Sequence, residues 1–326
     1  MQVTIALQTD KRLAAYGPLA ALVEGYGFDG VTVYNDMLYQ PAWPALFAMA
    51  QATSRIRLGP AAVNPFTSHP INIAGQAALL AEAAPGRSYL GLARGAWLDY
   101  VGVQVDRPVA ALIEAFACVR HLLRGDKRPL AGDHFPLAGG DSLRWALPEE
   151  EIPMLLGSWG LRTIRQAQPY VTEVKLGGSA NPAVVPWLKG QLSDPPAVVL
   201  GAVTVVAEDG ARARALVRRE VALYLPVVAS LDPTVAIEPD RLARIKAAAD
   251  RFDFEAAAAD ISDEILAQFA FAGTPAQLID HALRLHEAGL DRLEFGTPHG
   301  LTSAEGLRLL GEKVLPAIRR ETGTHE

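Results

Sequence analysis

Short apolar runs recur along this chain, each followed by a longer stretch with helical spacing, and this alternation limits the fold more than any other feature. The runs are VTIAL at 3–7, VTVY at 31–34, IRLGPAAV at 56–63, YLGLA at 89–93, MLLGS at 154–158, VTEVKLGG at 171–178, VVLGAVTVVA at 198–207 and RLEFG at 292–296. Strands this continuously apolar need burial on both faces, which a parallel sheet covered by helices provides. Eight of them in 326 residues fit an α/β fold of the (β/α)8 TIM-barrel class better than a doubly wound sheet.

The intervening segments read as helices. Val109, Leu112, Ile113, Phe116, Val119 and Leu123 form one apolar stripe, and Leu307, Leu310, Val314 and Ile318 form another. TPAQ at 274–277 is a capping box with proline at the first helical position, and Gly289 is a stop signal. Two stretches exceed the βα unit, at 125–153 and 229–263. Neither has strands and helices enough for its own core, so both read as insertions in a single domain spanning 1–326.

Composition removes several functions. The formal charge is −6 and no block of like charge is present, so nucleic acid is not an expected partner. The uncharged run at 197–207 is about half the roughly 20 residues a membrane span requires. The opening MQVTIALQTDK lacks a basic segment before a long apolar one, and Cys118 is the single cysteine, so the expected location is cytoplasmic, without disulfides or a membrane partner. There is no HExxH spacing, nucleophile elbow, Walker A loop or strand-linked GxGxxG, hence no metal site is expected and the chemistry should come from a bound cofactor.

In a barrel of this kind the active site lies at the C-terminal strand ends. Those ends carry Gln8, Asn35 with Asp36, Asn64, Arg94, Ser158 with Trp159, Ser179 with Asn181, and Thr297 with His299, a polar set with few carboxylates. The turn Gly157-Ser158-Trp159-Gly160-Leu161 stands between a strand and a helix, where orphan backbone N–H groups and the helix dipole favour an anion. The plainer alternative is a tight turn that needs glycine. His69, beside a proline, reads first as a cap, and Asn64, before Pro65, as turn chemistry or a ring contact. Arg94 fits either an ordinary ion pair or an anionic ligand. Lys175 shares a strand face with Glu173 and reads as half of an ion pair; Tyr34 and Trp97 read as pocket walls. Cys118 falls opposite its helix's apolar stripe and is expected to be a surface or interface thiol without catalytic duty.

Together with GFDGVTVY at 27–34, PGRSYLGLARG at 85–95, IPMLLGSWGLRT at 152–163 and GTPAQLIDHALRLHEAGLDRLEFGTPHG at 273–300, the segment LGPAAVNPFTSHP at 58–70 resembles the luciferase-like superfamily. Within it the chain is most similar to the coenzyme F420-dependent reductases, the branch of the methylenetetrahydromethanopterin reductases. The resemblance implies a bulged third strand with a non-prolyl cis peptide, here Ala61–Ala62, behind a deazaflavin ring. It also implies a cofactor phosphate at Gly157, Ser158, Trp159, Gly160 and Leu161, supported by Ser179 and Asn181, with Asn64 and Arg94 as further contacts. The superfamily's habit and the apolar helices suggest a homodimer.

Two departures bear on substrate. The reductases carry a glutamate at the end of the first strand, where this chain has Ala6, and Asp-His after the second, where it has Asn35-Asp36. The resemblance therefore implies an F420-dependent oxidoreductase that moves hydride between deazaflavin and a small organic substrate with a C=N or activated C=C bond. Asp36 and Asn35 are the candidate catalytic residues. An FMN-dependent monooxygenase, or a non-catalytic cofactor-binding barrel, are the alternatives.

Overall fold

A computed structural model describes residues 1–96 and 98–323. Nine strands occur among them: β1 Gln2–Leu7, β2 Gly30–Val33, β3 Arg57–Pro60, β4 Leu90–Ala93, β5 Met154–Gly157, β6 Glu173–Gly177, β7 Ala197–Val206, β8 Ala270–Gly273 and β9 Arg292–Gly300. β1 to β7 and β9 answer to the eight apolar runs and alternate with helices in chain order, the pattern of the (β/α)8 class. β8 is an addition. Its sequence AFAG is four residues long and Phe271 is its one strand-favouring residue, so its pattern marks a strand only weakly.

The chain divides into two compact units, one made of residues 7–25 and 29–174, the other of 1–6, 26–28 and 175–326. In the first, β2 pairs parallel with β3 from Gly30↔Arg57 to Val33↔Pro60, and β4 with β5 from Leu90↔Met154 to Ala93↔Gly157. Parallel bridges Leu58↔Ser88 and Val63↔Leu92 join β3 to β4. That approach is close: a Cβ on Gly91 would lie 2.3 Å from the Pro60 carbonyl oxygen. Any larger residue at 91 would push the two strands apart.

Helices Ala42–Ala52, Pro70–Ala83 and Pro108–Leu123 cover these strands, burying Trp43, Leu46 and Met49, then Ile73, Ala77 and Leu80, then Leu112, Phe116 and Val119. Each large apolar side chain so buried contributes about 1.5–3 kcal/mol. Cys118 corrects the sequence reading, because its side chain is buried, not exposed. A second buried arc of Ala111, Ala115, Cys118 and Leu122 flanks the stripe, and its small residues hid it from a count of large ones. Burial pushes the Cys118 thiol up to about 11. The segment at 125–153 is held to the Pro108–Leu123 helix by Glu114 Oε2, which accepts from His134 N at 2.7 Å and Phe135 N at 3.3 Å.

In the second unit β9 pairs parallel with β1 from Gln2↔Arg292 to Ile5↔Phe295, and with β7 from Val199↔Arg292 to Val206↔Gly300 across an irregularity between Val203 and Val205. β8 pairs with β7 from Val203↔Ala270 to Val206↔Gly273. The capping box forms as its sequence dictates, with Thr274 and Gln277 exchanging side-chain and backbone bonds at the head of helix Pro275–Glu287. Leu307, Leu310, Val314 and Ile318 are all buried, and the stretch 229–263 is largely helical. No helix among the described residues is long and apolar enough to cross a membrane.

Charge is also buried in each unit. Arg57 donates to Glu173 at 2.6 Å and sits 4.7 Å from the Tyr89 ring, whose hydroxyl meets Thr32 Oγ1 at 2.7 Å. In the other unit Lys175, 8% exposed, is paired with the fully buried Glu294. Removing one member of such a pair strands an ion in a poorly solvated site. Glu294→Ala should therefore lower stability by about 3–5 kcal/mol in urea unfolding. The double variant Lys175→Met/Glu294→Leu should lose clearly less than the sum of the two single changes; strict additivity would refute the coupling.

Candidate functional site

The C-terminal ends of β3, β4 and β5 converge within the first unit. After Pro60 the chain leaves the regular ladder: Ala61 N donates to Val33 O at 3.0 Å, Val63 N to Gly91 O at 3.0 Å, and Ala93 N returns to Val63 O at 3.0 Å. The Ala61–Ala62 peptide is cis, as the resemblance implies. A Cβ placed on Gly157 would lie 3.2 Å from Ala93 Cβ and 3.9 Å from Ala62 Cβ, so three neighbouring strand ends meet and present only methyl groups or hydrogen. All three residues are partly exposed. The result is a shallow, smooth floor that a planar ring can approach.

Beside this floor runs the turn from Gly157 to Leu161. Ser158 Oγ accepts from Gly160 N at 3.2 Å, and Gly160 is the N-cap of helix Leu161–Ala167 without a side-chain cap. The remaining first-turn N–H groups have no intrahelical acceptor. Gly160 has φ −76° and ψ 112°, ordinary extended backbone open to any residue. A Cβ there would meet nothing nearer than Thr163 Oγ1 at 3.3 Å. The backbone conformation does not require glycine here, although a side chain would have to displace the Thr163 hydroxyl by a few tenths of an ångström.

Other expected residues prove to be held by the fold. Asn64 Oδ1 accepts from Phe66 N at 3.1 Å, Thr67 N at 2.9 Å and Thr67 Oγ1 at 3.0 Å, which makes Asn64 the organiser of the turn after β3. Asn35 Oδ1 accepts from Ala42 N at 3.0 Å at the head of helix Ala42–Ala52. His69 caps helix Pro70–Ala83, its Nδ1 accepting from Ile71 N at 3.2 Å. Asp36 is different. It is exposed, and its Oδ2 accepts from Gln8 Nε2 at 2.7 Å, while Gln8 Oε1 is fixed by Thr9 N at 2.8 Å. The amide orientation of Gln8 follows from these two bonds, which engage one of the two carboxylate oxygens of Asp36.

Arg94 is exposed and makes no hydrogen bond or ion pair among the described residues. Arg162 is in the same condition one position into the helix after Gly160, and sequence reading passed over it. The signal was available, since a cation in a helix's first turn opposes the dipole unless an anion is near. Leu161 and Trp159 are partly buried in this turn, as is Tyr34 at the end of β2. Trp97 lies outside the described residues.

Ser179 and Asn181 belong to the other unit. Both are buried; Ser179 Oγ accepts from Asn181 N at 3.2 Å, and the Asn181 amide bonds Thr234 Oγ1 at 2.8 Å, Asp232 Oδ2 at 3.2 Å and Ala183 N at 3.1 Å. Lys175 pairs with Glu294, as noted, and Glu173 with Arg57. His299 is fully buried with Nε2 3.0 Å from the carbonyl oxygen of Ala6, itself fully buried. No group of three or more His, Cys, Asp or Glu converges among the described residues in a way that could hold a metal.

The strand ends, the small-residue floor and the turn beside it can be set against known proteins. Over 309 residues the chain is 25% identical to a 5,10-methylenetetrahydromethanopterin reductase of Methanolobus tindarius, covering 91% of this chain and 94% of that protein. The solved coenzyme F420-dependent tetrahydromethanopterin reductase of Methanopyrus kandleri superposes with a TM-score of 0.86 at 21% identity, over 97% of this chain and 99% of that one. An F420-dependent secondary alcohol dehydrogenase, solved with an F420–acetone adduct, gives a TM-score of 0.76 at 18% identity over 98% and 99%. These two structures share the fold. The sequence profile of the luciferase-like monooxygenases matches residues 1–292, nearly the whole length, and the chain accordingly belongs to the luciferase-like monooxygenase family.

Proposed function

We propose that this chain is a coenzyme F420-dependent oxidoreductase that exchanges hydride between the deazaflavin and a small organic acceptor, an imine or an activated C=C bond. The observation that carries the reading is the floor of Ala62, Ala93 and Gly157, whose methyl groups and hydrogen leave room for a flat ring against the backbone. The F420 dependence of the reductase and the alcohol dehydrogenase with the same fold supports it. When bound, the deazaflavin supplies a two-electron hydride centre and no single-electron route to oxygen.

The chain's own residues divide the remaining work. Gly160 and the first-turn N–H groups after it would hold the cofactor phosphate, with Arg162 adding the charge that the helix dipole alone supplies weakly. Arg94, exposed and without a partner among the described residues, would meet the anionic tail. Asn64, with its oxygen fully used by the turn, acts by fixing the bulged strand. Ser179 and Asn181 are assigned no cofactor contact, because their polar groups serve their own unit. Asp36 is the carboxyl group placed to give or take a proton at the acceptor, held by Gln8.

Gly160→Val should weaken deazaflavin binding by about 1–3 kcal/mol in a fluorescence titration, the cost of unmade bonds to a charged group. Arg162→Ala should weaken it further as salt is lowered relative to the wild type, since the lost attraction is electrostatic. Unchanged affinity in both folded variants would overturn the phosphate assignment.

Proton delivery gives a second test. Ala6 has no proton to donate, so turnover of methylenetetrahydromethanopterin should be weak, whereas Asp36→Asn should cut turnover of an accepted imine or enone by about 100-fold, the usual scale of a lost general acid. Deazaflavin affinity should not change. Efficient methanopterin reduction, or full activity of Asp36→Asn, would contradict the assignment.

A further inference from the structure

The turn after β2 holds an apolar side chain in water at some cost. Leu38 is 82% exposed and has φ +68°, the left-handed region that disfavours a residue with a Cβ. Glycine or asparagine is the ordinary occupant of such a position. The turn does not drift into this state. Tyr39 N donates to Asp36 O at 3.3 Å, Gln40 N to Thr9 O at 3.2 Å, and Gln40 Nε2 to Lys11 O at 2.8 Å. Tyr39 is itself 51% exposed, next to a leucine that neither it nor the fold covers. A second apolar pair, Tyr100 at 73% and Val101 at 45%, stands exposed in the segment after β4. Both pairs belong to the same end of the parallel strands as Asp36 and the small-residue floor.

Charge in these segments points the same way. Between the ends of β2 to β5 and the helices that follow, the sequence has two cations, Arg94 and Arg107, against the carboxylates Asp36, Asp99 and Asp106. Arg107 is bound to Asp133. Arg94 is left over in these segments, as is Arg162 in the first turn of the helix after Gly160, and the function proposed above uses both for the cofactor's own anionic groups. A phosphate or carboxylate on the substrate would then face Asp36 with no charge-assisted partner in these segments.

From this we infer that the substrate of the site is an uncharged compound with an apolar or aromatic body, gripped by Leu38 and Tyr39 beside the proton-transferring Asp36, and that sugar phosphates and carboxylates are excluded. The inference rests on the F420-dependent reading. Its physical content is ordinary: an apolar ring covers surface that the strained turn otherwise exposes, and the floor and carboxylate orient the reacting bond.

The test uses the full chain with deazaflavin bound. Three probes are titrated and followed by the cofactor's fluorescence: cyclohex-2-enone, its 4-carboxylate, and glucose 6-phosphate. The neutral ring should bind at least about tenfold more tightly than either anion, and Leu38→Ser and Tyr39→Ser should each weaken it about threefold or more, with deazaflavin affinity unchanged. Equal or tighter binding of an anion, no binding of the ring, or no effect of the two variants would overturn the inference. A change in sedimentation without a change in ring binding would make the patch a protein contact, and would overturn it too. Failure to bind deazaflavin at all is seen in the first titration, and would remove the parent reading and this one together.

Discussion

The contact between β3 and β4 is the constraint on which the rest depends. Gly91 lets the Pro60 carbonyl approach so closely that a Cβ would stand 2.3 Å from it, and directly afterwards Ala61 and Val63 bond to opposite neighbours, Val33 and Gly91. Small residues are therefore required where the strands meet. Once the strands are that close, Ala62, Ala93 and Gly157 come together at their ends. Packing density inside a protein leaves little room for compromise at such a junction. Gly91 lets the strands close up, and Ala62, Ala93 and Gly157 form the small-residue surface at their ends.

Around this floor the polar residues separate into those the fold consumes and those it leaves available. Asn64, Asn35 and His69 satisfy backbone N–H groups at a turn and two helix starts, a need that any fold of this kind has to meet. Arg94, Arg162 and the second oxygen of Asp36 remain. Two guanidinium groups without partners among the described residues and one carboxylate, in the same unit as the small-residue surface, suit an anionic, flat cofactor. In the other unit Ala6 is fully buried and its carbonyl is bonded by His299 Nε2, so that position of β1 carries no acid.

Much of the architecture was legible because it depends on patterns of large apolar residues. The β1 to β7 and β9 runs, the capping box at Thr274 and the buried stripe from Leu307 to Ile318 all announce themselves in that way. What escaped was built from small residues or from context. β8 has a single bulky residue, Phe271, between alanines and a glycine, and Cys118 sits among alanines, so neither gives a run or stripe of large apolar residues. Asn181 looks like a site residue at a strand end, yet its partners Asp232 and Thr234 lie about fifty residues away in sequence, beyond the reach of local reasoning. Arg162 and Leu38 are a different case. Each breaks a local rule, one against the helix dipole and one against left-handed backbone, and such exceptions are where function is expected to show.

The account's central claim is that the ring of a deazaflavin lies on the floor made by Ala62, Ala93 and Gly157. A crystal structure of the protein with coenzyme F420 tests it most directly. The account predicts the ring within van der Waals contact, about 4 Å, of all three residues, with the phosphate at the turn before helix Leu161–Ala167. A ring seated elsewhere, with that floor covered by protein or water, would contradict it.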